Sequence, residues 1–464
     1  QGKPGIWIDG GTHGNEYTGT EGALYIIDKL VSGYGSDDAI TPLIDDNTFY
    51  ICPIVNPDGV YNSVERGISQ RQNSMEVDDD GDGRINEDGP DDLNGDGKIT
   101  SFRYPDPEGR YVVDELDPRH MRRLGSDEET TAQRYSVVRE DRDNDGDGRR
   151  GEDSERGIDV NRNFPEGWFN EENEQGGSGY YPSSSPEAHA ILEYFTNHRN
   201  ILLVQSFHSS GGFTYRPFAR WPDSRIASQD LAVFDRVMAP KYRELHPDEE
   251  NPDRLWRQPH RGDRPYGFGI FIDWAYAQYG AFSMTTELWS WSRDTRGLPG
   301  YEGEDDRDLW SRALLEHQET AFDGEIFVPW ERYDHPDLGS GEVGGWVSTY
   351  VGGNALPGES LRHVADVHWQ FELFKAGLLP KLEITEASAE TLSNSGGTRI
   401  VKVTARVENS GPLATHLARG ADLAGNREDA IWLIGDRERM KFLQGNAWQE
   451  LGTIGGVMEI PPPE

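Results

Sequence analysis

Four apolar runs in the chain each stop abruptly at a polar signature. Gly5-Ile6-Trp7-Ile8-Asp9 runs into Gly10-Gly11-Thr12-His13-Gly14-Asn15-Glu16, and Thr48 to Val55 runs into Asn56-Pro57-Asp58-Gly59. Ile201 to Phe207 ends at His208-Ser209, and Phe282 to Thr286 ends at Glu287-Leu288. Short apolar runs bounded by turn residues read as buried strands. Helical patterns lie between them. Glu21 to Leu30 carries Leu24, Ile27 and Leu30 at helical spacing. Ser183-Ser184-Ser185-Pro186-Glu187 has the small polar cap and first-turn proline of a helix start, leading through Ala190, Ile191 and Phe195. In an open α/β sheet the carboxyl ends of the strands line a crevice, so the four polar signatures are expected to converge.

Residues 74 to 156 break the pattern. Between Glu76 and Asp153 lie 25 acidic and 12 basic side chains, and repeated Gly-Asp-Gly turns predict an insertion of loops rather than core. Regular patterning resumes with Gly157-Ile158-Asp159-Val160-Asn161-Arg162-Asn163-Phe164. A large first domain is expected over residues 1–328. A Gly- and Trp-rich connector over 329–379 then passes Gly344-Gly345-Trp346 and becomes helix-like through Phe371 and Phe374. After Pro380 the pattern alternates, with Leu382, Ile384, Ile400, Val401, Val403, Ala405 and Val407, and a turn at Asn409-Ser410-Gly411. Alternation with turns predicts a small β-sandwich-like domain over 380–464, whose ending in Pro461-Pro462-Pro463-Glu464 reads as incomplete.

Composition narrows the function classes. With 34% hydrophobic residues, 13 Trp, 19 Tyr and 17 Phe in 464 residues, the chain has enough apolar mass for a packed core. Its formal charge of -38 repels nucleic acid and anionic lipid, which both require a basic footprint. The same charge suits a salty medium or bound divalent cations. Cys52 is the only cysteine, so no intrachain disulfide is possible, and its place in a strand-like run predicts a small buried apolar role. No apolar run approaches the roughly 18 residues that span a bilayer. The chain opens with Gln1 and reaches a strand within five residues, which reads as a processed or truncated sequence in which a missing signal peptide says nothing.

His13 and Glu16 are three apart in the loop after the first strand, a spacing that lets an imidazole and a carboxylate face one ion. His208, from a distant strand end, completes a His2Glu set that leaves a fourth position for water, the coordination of a catalytic zinc. The plainer alternative is a loop histidine bonded to backbone and a glutamate favoured by its helix dipole. Glu287 ends the fourth apolar run. A carboxylate beside water activated by a metal can take a proton and hand it on; the alternative is an edge glutamate facing solvent.

Six segments taken together, in this order, resemble the M14 family of zinc metallocarboxypeptidases: His13-Gly14-Asn15-Glu16, Asn56-Pro57-Asp58-Gly59, Asp159-Val160-Asn161-Arg162-Asn163-Phe164, Ser206-Phe207-His208-Ser209, Ile272-Asp273-Trp274 and Thr286-Glu287-Leu288. The resemblance covers roughly residues 5 to 325, interrupted by the acidic insertion. It implies an α/β/α sandwich around a mixed, mostly parallel sheet, zinc on His13, Glu16 and His208, and Glu287 as general base and then acid. It further implies that Arg71 steadies the oxyanion of the tetrahedral intermediate, with Arg66 the nearby rival. Asn161 and Arg162 match the pair that grips a substrate's terminal carboxylate, a task suited to the planar fork of arginine. Tyr266 matches a mobile tyrosine that closes over substrate, with Tyr276 and Tyr279 as competitors. Ile272 matches the base of the specificity pocket, where an apolar residue favours an apolar or aromatic terminal residue.

The insertion carries its own chemistry. Asp78, Asp80 and Asp82 in one Gly-rich loop, and Asp143, Asp145 and Asp147 in another, occupy near copies that are each followed by Glu-Asp. Asp92, Asn94 and Asp96 form a third version. Alternate oxygens with glycines turning the chain wrap a hard cation of Ca²⁺ size. These loops resemble those of EF-hand and thrombospondin-type repeats, without the bidentate glutamate of a full EF-hand; the alternative is a solvated acidic loop. Calcium loops and acidity together favour a secreted or periplasmic location. Peptide or protein C-termini are the expected partners, and nucleic acid is not. Two other readings remain open at this stage: an aspartoacylase-like deacylase of N-acyl amino acids, and a zinc-free, calcium-dependent binding module.

Overall fold

The computed structural model describes residues 3–78, 83–169, 177–259, 267–290, 307–347, 354–423, 428–436 and 438–462. Strands β1 (Gly5–Asp9) and β2 (Thr48–Cys52) precede the insertion; β7 (Ile201–His208), β8 (Phe213–Tyr215), β9 (Trp256–Arg257) and β10 (Phe282–Glu287) follow it. These six form one sheet in the order β2-β1-β7-β10-β8-β9. All neighbours run parallel except the β10–β8 pair, so the sheet is mixed and mostly parallel, as expected.

The alternation along each central strand shows why the sheet is a middle layer. Ile6 and Ile8 of β1, with Leu203 and Phe207 of β7, enter one core with Ala23, Ile26 and Leu30 of the helix Tyr17–Gly33. Trp7 and Val204 face the opposite way, into a second core with Ala188, Ile191 and Phe195 of the helix Pro186–Asn197. Burial on both faces is why these strands read as continuous apolar runs. The helix face differs from the expected one: Leu24 is 45% exposed. The helix instead lies on β7 through glycines, and a Cβ at Gly19 would sit 2.6 Å from the carbonyl oxygen of Phe207. Small residues allow that approach, and they, not the large apolar ones, set the rotation of the helix.

The insertion is not a set of loops. Strands β3 (Ser101–Pro105), β4 (Tyr111–Val113), β5 (Met121–Arg123) and β6 (Tyr135–Arg139) join β11 (Phe327–His335) and β12 (Gly339–Trp346) in an antiparallel sheet of order β11-β12-β3-β6-β4-β5. Phe102, Val112 and Leu124 are buried there. Composition hid these strands because only one short face of each is apolar, between long acidic turns. The sheet also ties the insertion to the helix Arg307–Ala321: Arg312 donates to both Asp114 oxygens, at 3.2 and 3.1 Å, and His120 Nε2 lies 2.7 Å from Asp308 Oδ1. The segment read as a connector is likewise structural. Its helix Glu359–Gly377 places Val364, Trp369 and Phe371 in the same core as Ile6 and Phe207.

After Pro380, β13 (Leu382–Ser395) and β14 (Thr398–Asn409) form one two-stranded antiparallel sheet, and β15 (Asp429–Trp432) and β16 (Trp448–Gly452) a second. Every residue of β13 is exposed.

Candidate active site

The parallel register brings the strand ends together. Asp9 of β1 lies opposite Ser206 of β7, and His208 of β7 lies opposite Glu287 of β10. Glu287 is therefore on an inner strand, between β7 and β8, and not on an edge facing solvent. The loop after β1 is held by Asn56, which caps its own helix by accepting from Gly59 N at 2.9 Å. The Asn56 amide donates to Gln72 O at 3.0 Å and Arg71 O at 3.4 Å, tying the arginine loop to the same corner. Gly14 is required where these loops meet, since a Cβ there would lie 2.1 Å from the carbonyl carbon of Gly59. Asn56-Pro57-Asp58-Gly59 is thus a clamp behind the site.

His13, Glu16 and His208 converge on one point. Glu16 Oε1 is 2.9 Å from His13 Nδ1, Glu16 Oε2 is 2.9 Å from His208 Nδ1, and the two Nδ1 atoms are 3.0 Å apart. A tetrahedral ion at about 2.0–2.1 Å from each nitrogen separates its ligands by roughly 3.3 Å, so this triangle fits zinc with small adjustment and leaves one corner open. The far side of the His13 ring faces a carboxylate, with Nε2 3.2 Å from Asp159 Oδ1. A carboxylate in this position is the kind of partner that fixes the tautomer and orientation of imidazoles that bind metals. His208 Nε2 lies 3.3 Å from Ser206 Oγ and 3.4 Å from the Asn161 amide.

Charge at the site is densely paired. Arg71 donates from Nη1 to Glu16 Oε1 at 3.0 Å and from Nε to Asp159 Oδ2 at 2.9 Å. Arg66 instead pairs with Glu155 at the surface, so of the two arginines only Arg71 reaches this centre. Burial opposes ionisation of Glu16, yet His13 and His208 hold its carboxyl well below the usual range. Burial also opposes ionisation of Asp159, which Arg71, His13 and Arg162 likewise hold well below it. Burial and then the charge on His13 lower the pKa of His208. Glu287 moves the other way. Burial and the neighbouring Glu16 carboxylate push it well above the ordinary glutamate value, against the pull of Arg71 and Arg162.

Asn161 and Arg162 lie in a buried turn, Val160–Arg162, whose start is capped by Asp159. Asn161 Oδ1 accepts from Phe271 N at 2.9 Å, and Arg162 Nη1 donates to Asn161 O at 2.9 Å. This is not a solvated surface turn. Ile272 is 1% exposed and packs with Tyr215, Ala219 and Ile270. Tyr266 lies outside the described residues. Its competitors are both held in the core: Tyr276 donates to Asp230 at 2.9 Å, and the Tyr279 hydroxyl to His198 O.

Sequence reasoning missed two supports. Asp9 is fully buried, accepts from Trp7 Nε1 and Ser206 Oγ at 2.7 Å each, and is pushed up to about 7 by burial. Half-buried Cys52 sits close enough for Asp9 to add to the burial that raises its thiol to about 11. Asn354, far down the chain, hydrogen-bonds to the loop that carries His13 and Glu16. An acidic residue closing an apolar strand could have signalled Asp9; nothing local marks Asn354.

In the insertion, carboxylate oxygens of Asp143, Asp145 and Asp147 cluster, and Asp145 also groups with Asp88 and Glu152. Asp143 accepts from Gly146 N and Gly148 N, at 2.6 and 3.0 Å. The third loop repeats this, with Asp92 accepting from Gly95 N and Gly97 N at 2.8 and 2.7 Å, and Asn94 and Asp96 following it. In the first loop Asp78 accepts from Gly83 N at 2.9 Å, while Asp80 and Asp82 lie outside the described residues. The ends of the first and second loops meet in a bridge between Asp88 and Asp153.

The sequence profile of the zinc carboxypeptidase family matches residues 1–299, and that of a domain of unknown function matches residues 381–460. Carboxypeptidase A2 of Rattus norvegicus is 42% identical over 57 residues, which are 12% of this chain and 14% of that protein. An inactive metallocarboxypeptidase of Uncinocarpus reesii is 35% identical over 71 residues, 15% of this chain and 12% of that protein. The matched stretches are thus a small part of these relatives' lengths. The crystal structure of thrombin activatable fibrinolysis inhibitor superposes at a TM-score of 0.43 with 16% identity, covering 81% of this chain and 62% of that one.

Proposed function

The chain belongs to the zinc carboxypeptidase family, and on that premise we propose that it removes C-terminal residues from peptides by zinc-dependent hydrolysis. The observation that carries this reading is the meeting of His13, Glu16 and His208 within 4.8 Å, with Glu287, Arg71 and Arg162 around them. Zinc on these donors supplies a Lewis acid and lowers the pKa of water at the open corner. Glu287 is the general base and then the acid. Its carboxylate, at the end of the strand beside His208, is placed to take a proton from water and pass it to the departing amine. Arg71, fixed beforehand by Glu16 and Asp159, steadies the oxyanion as it forms. Asn161 and Arg162 bind the terminal carboxylate, and Ile272 with its apolar neighbours selects apolar or aromatic terminal residues.

The test is hydrolysis of a blocked dipeptide beside its C-terminal amide and beside an N-acyl amino acid. Cleavage of the free-acid dipeptide alone is expected. Preference for the N-acyl amino acid would move the chain to deacylase chemistry, and cleavage of the amide would remove Asn161 and Arg162 from carboxylate binding. A relative described as inactive is among those similar to the chain, so turnover itself is the decisive quantity.

The insertion is proposed to bind structural calcium, supported by the clustered oxygens of Asp143, Asp145 and Asp147 and by the Asp88, Asp145 and Glu152 group beside them. Such weak oxygen sites fill where calcium is millimolar, which favours a secreted or periplasmic location.

A further inference from the structure

Glu16 occupies the N-cap position of the helix Tyr17–Gly33, and no side-chain cap is made there. Its carboxylate is turned away, onto His13, His208 and Arg71. A helix start leaves its first N–H groups without intrahelical partners, and a capping side chain normally satisfies one at the second or third position. Here the acceptor arrives from another part of the chain. Asn354 Oδ1 lies 3.0 Å from Thr18 N and 3.0 Å from Thr18 Oγ1. The same oxygen accepts from Ser209 Oγ at 3.3 Å, while the Asn354 amide donates to Asn15 O at 2.8 Å. Ala355 N donates to Thr18 Oγ1 at 2.9 Å, which completes the junction. Asn354 is 3% exposed and lies beyond the stretch matched by the family profile.

One buried amide therefore touches the residue before Glu16, the first turn after Glu16, and the residue after His208. We propose that Asn354 is a positioning residue of the metal centre: it caps the helix in place of Glu16, so that the Glu16 carboxylate stays directed at the metal, and it fixes the distance from the His13–Glu16 loop to the end of β7. This rests on the zinc reading of His13, Glu16 and His208. Without Asn354, the Glu16 carboxylate is drawn back to cap its own helix, the two uses compete, and zinc is held more weakly.

The experiment is zinc affinity of the full chain by chelator competition, with thermal unfolding of each metal-free protein alongside. Asn354→Ala is expected to keep one zinc per chain and to weaken its binding about ten- to hundredfold, the range for loss of an outer partner of a ligand. Asn354→Ser carries one short hydroxyl that cannot reach Thr18 N and Asn15 O together, so it is expected to weaken zinc binding by about the same factor. Asn409→Ala is the control for general destabilisation. Its buried amide binds Leu413 O, Lys381 N and Gly411 N, away from the site, and its loss leaves zinc affinity unchanged. Wild-type affinity in Asn354→Ala, or equal weakening in Asn409→Ala, overturns the assignment. If Asn354→Ala does not fold, Asn354→Ser decides, and wild-type zinc affinity in it counts against the assignment. A wild-type protein without stoichiometric zinc is a different result, because it breaks the ligand set itself.

Discussion

The corner formed by His13, Glu16 and His208 and the acidic insertion both crowd carboxylates together, and they handle the repulsion differently. At the corner two of the close carboxylates are paired, since Glu16 and Asp159 share Arg71 and both touch His13, while Glu287 has no ion pair among the described residues and is pushed up by burial and Glu16. The pKa values of Glu16 and Asp159 fall well below the ordinary range despite burial. In the insertion, burial pushes Glu140 and Glu152 up to about 7, and the carboxylates of Asp92 and Asp88, respectively, add to that shift. Backbone N–H groups of Thr100 and Leu93 offset only part of it at Glu140. The corner carries built-in positive charge, whereas the insertion holds 25 acidic against 12 basic side chains between Glu76 and Asp153.

That contrast can be broken in four ways. The largest effect is expected from His208→Ala, which removes zinc and activity together; metal analysis that still finds one zinc per chain would end the ligand assignment. Next, Glu287→Gln is expected to keep zinc and fold while kcat drops by about 10²–10⁴, the contribution of a positioned general base. Near-normal turnover would remove Glu287 from proton transfer. Arg71→Ala should lower kcat/KM by about 10²–10³, as loss of an oxyanion donor does. If KM alone rises, Arg71 serves ground-state binding instead. The smallest effect concerns the insertion. A chelator selective for calcium over zinc should lower the melting temperature and spare the metal at His208, with stabilisation of about 2.7 kcal/mol when calcium stands at a hundred times its dissociation constant. An unchanged melting temperature would make the insertion a solvated acidic surface.

Much of the corner was legible because its chemistry sits where apolar runs end. His208 and Glu287 each close a strand, and parallel strands put such ends on one edge. The insertion was legible as an acidic, Gly-rich segment but not for its strands. β3 to β6 are three to five residues long, and their apolar partners include Val343 of β12, more than two hundred positions away. The helix face was misjudged for a related reason: counting large apolar residues favours Leu24, while glycines at 19 and 22 decide which side can approach β7.

What the sequence alone determined was the set of candidate groups and the strand ends that carry them, since residue type and hydrophobic period are local properties. What only the tertiary structure decided was which distant groups complete those local ones. Arg71 rather than Arg66 reaches Glu16, Asp159 backs His13, and Asn354 caps the helix that Glu16 leaves uncapped. Hydrogen bonds and ion pairs act over a few ångströms, and separations of 55, 146 and 336 residues leave no periodic trace by which to foresee them.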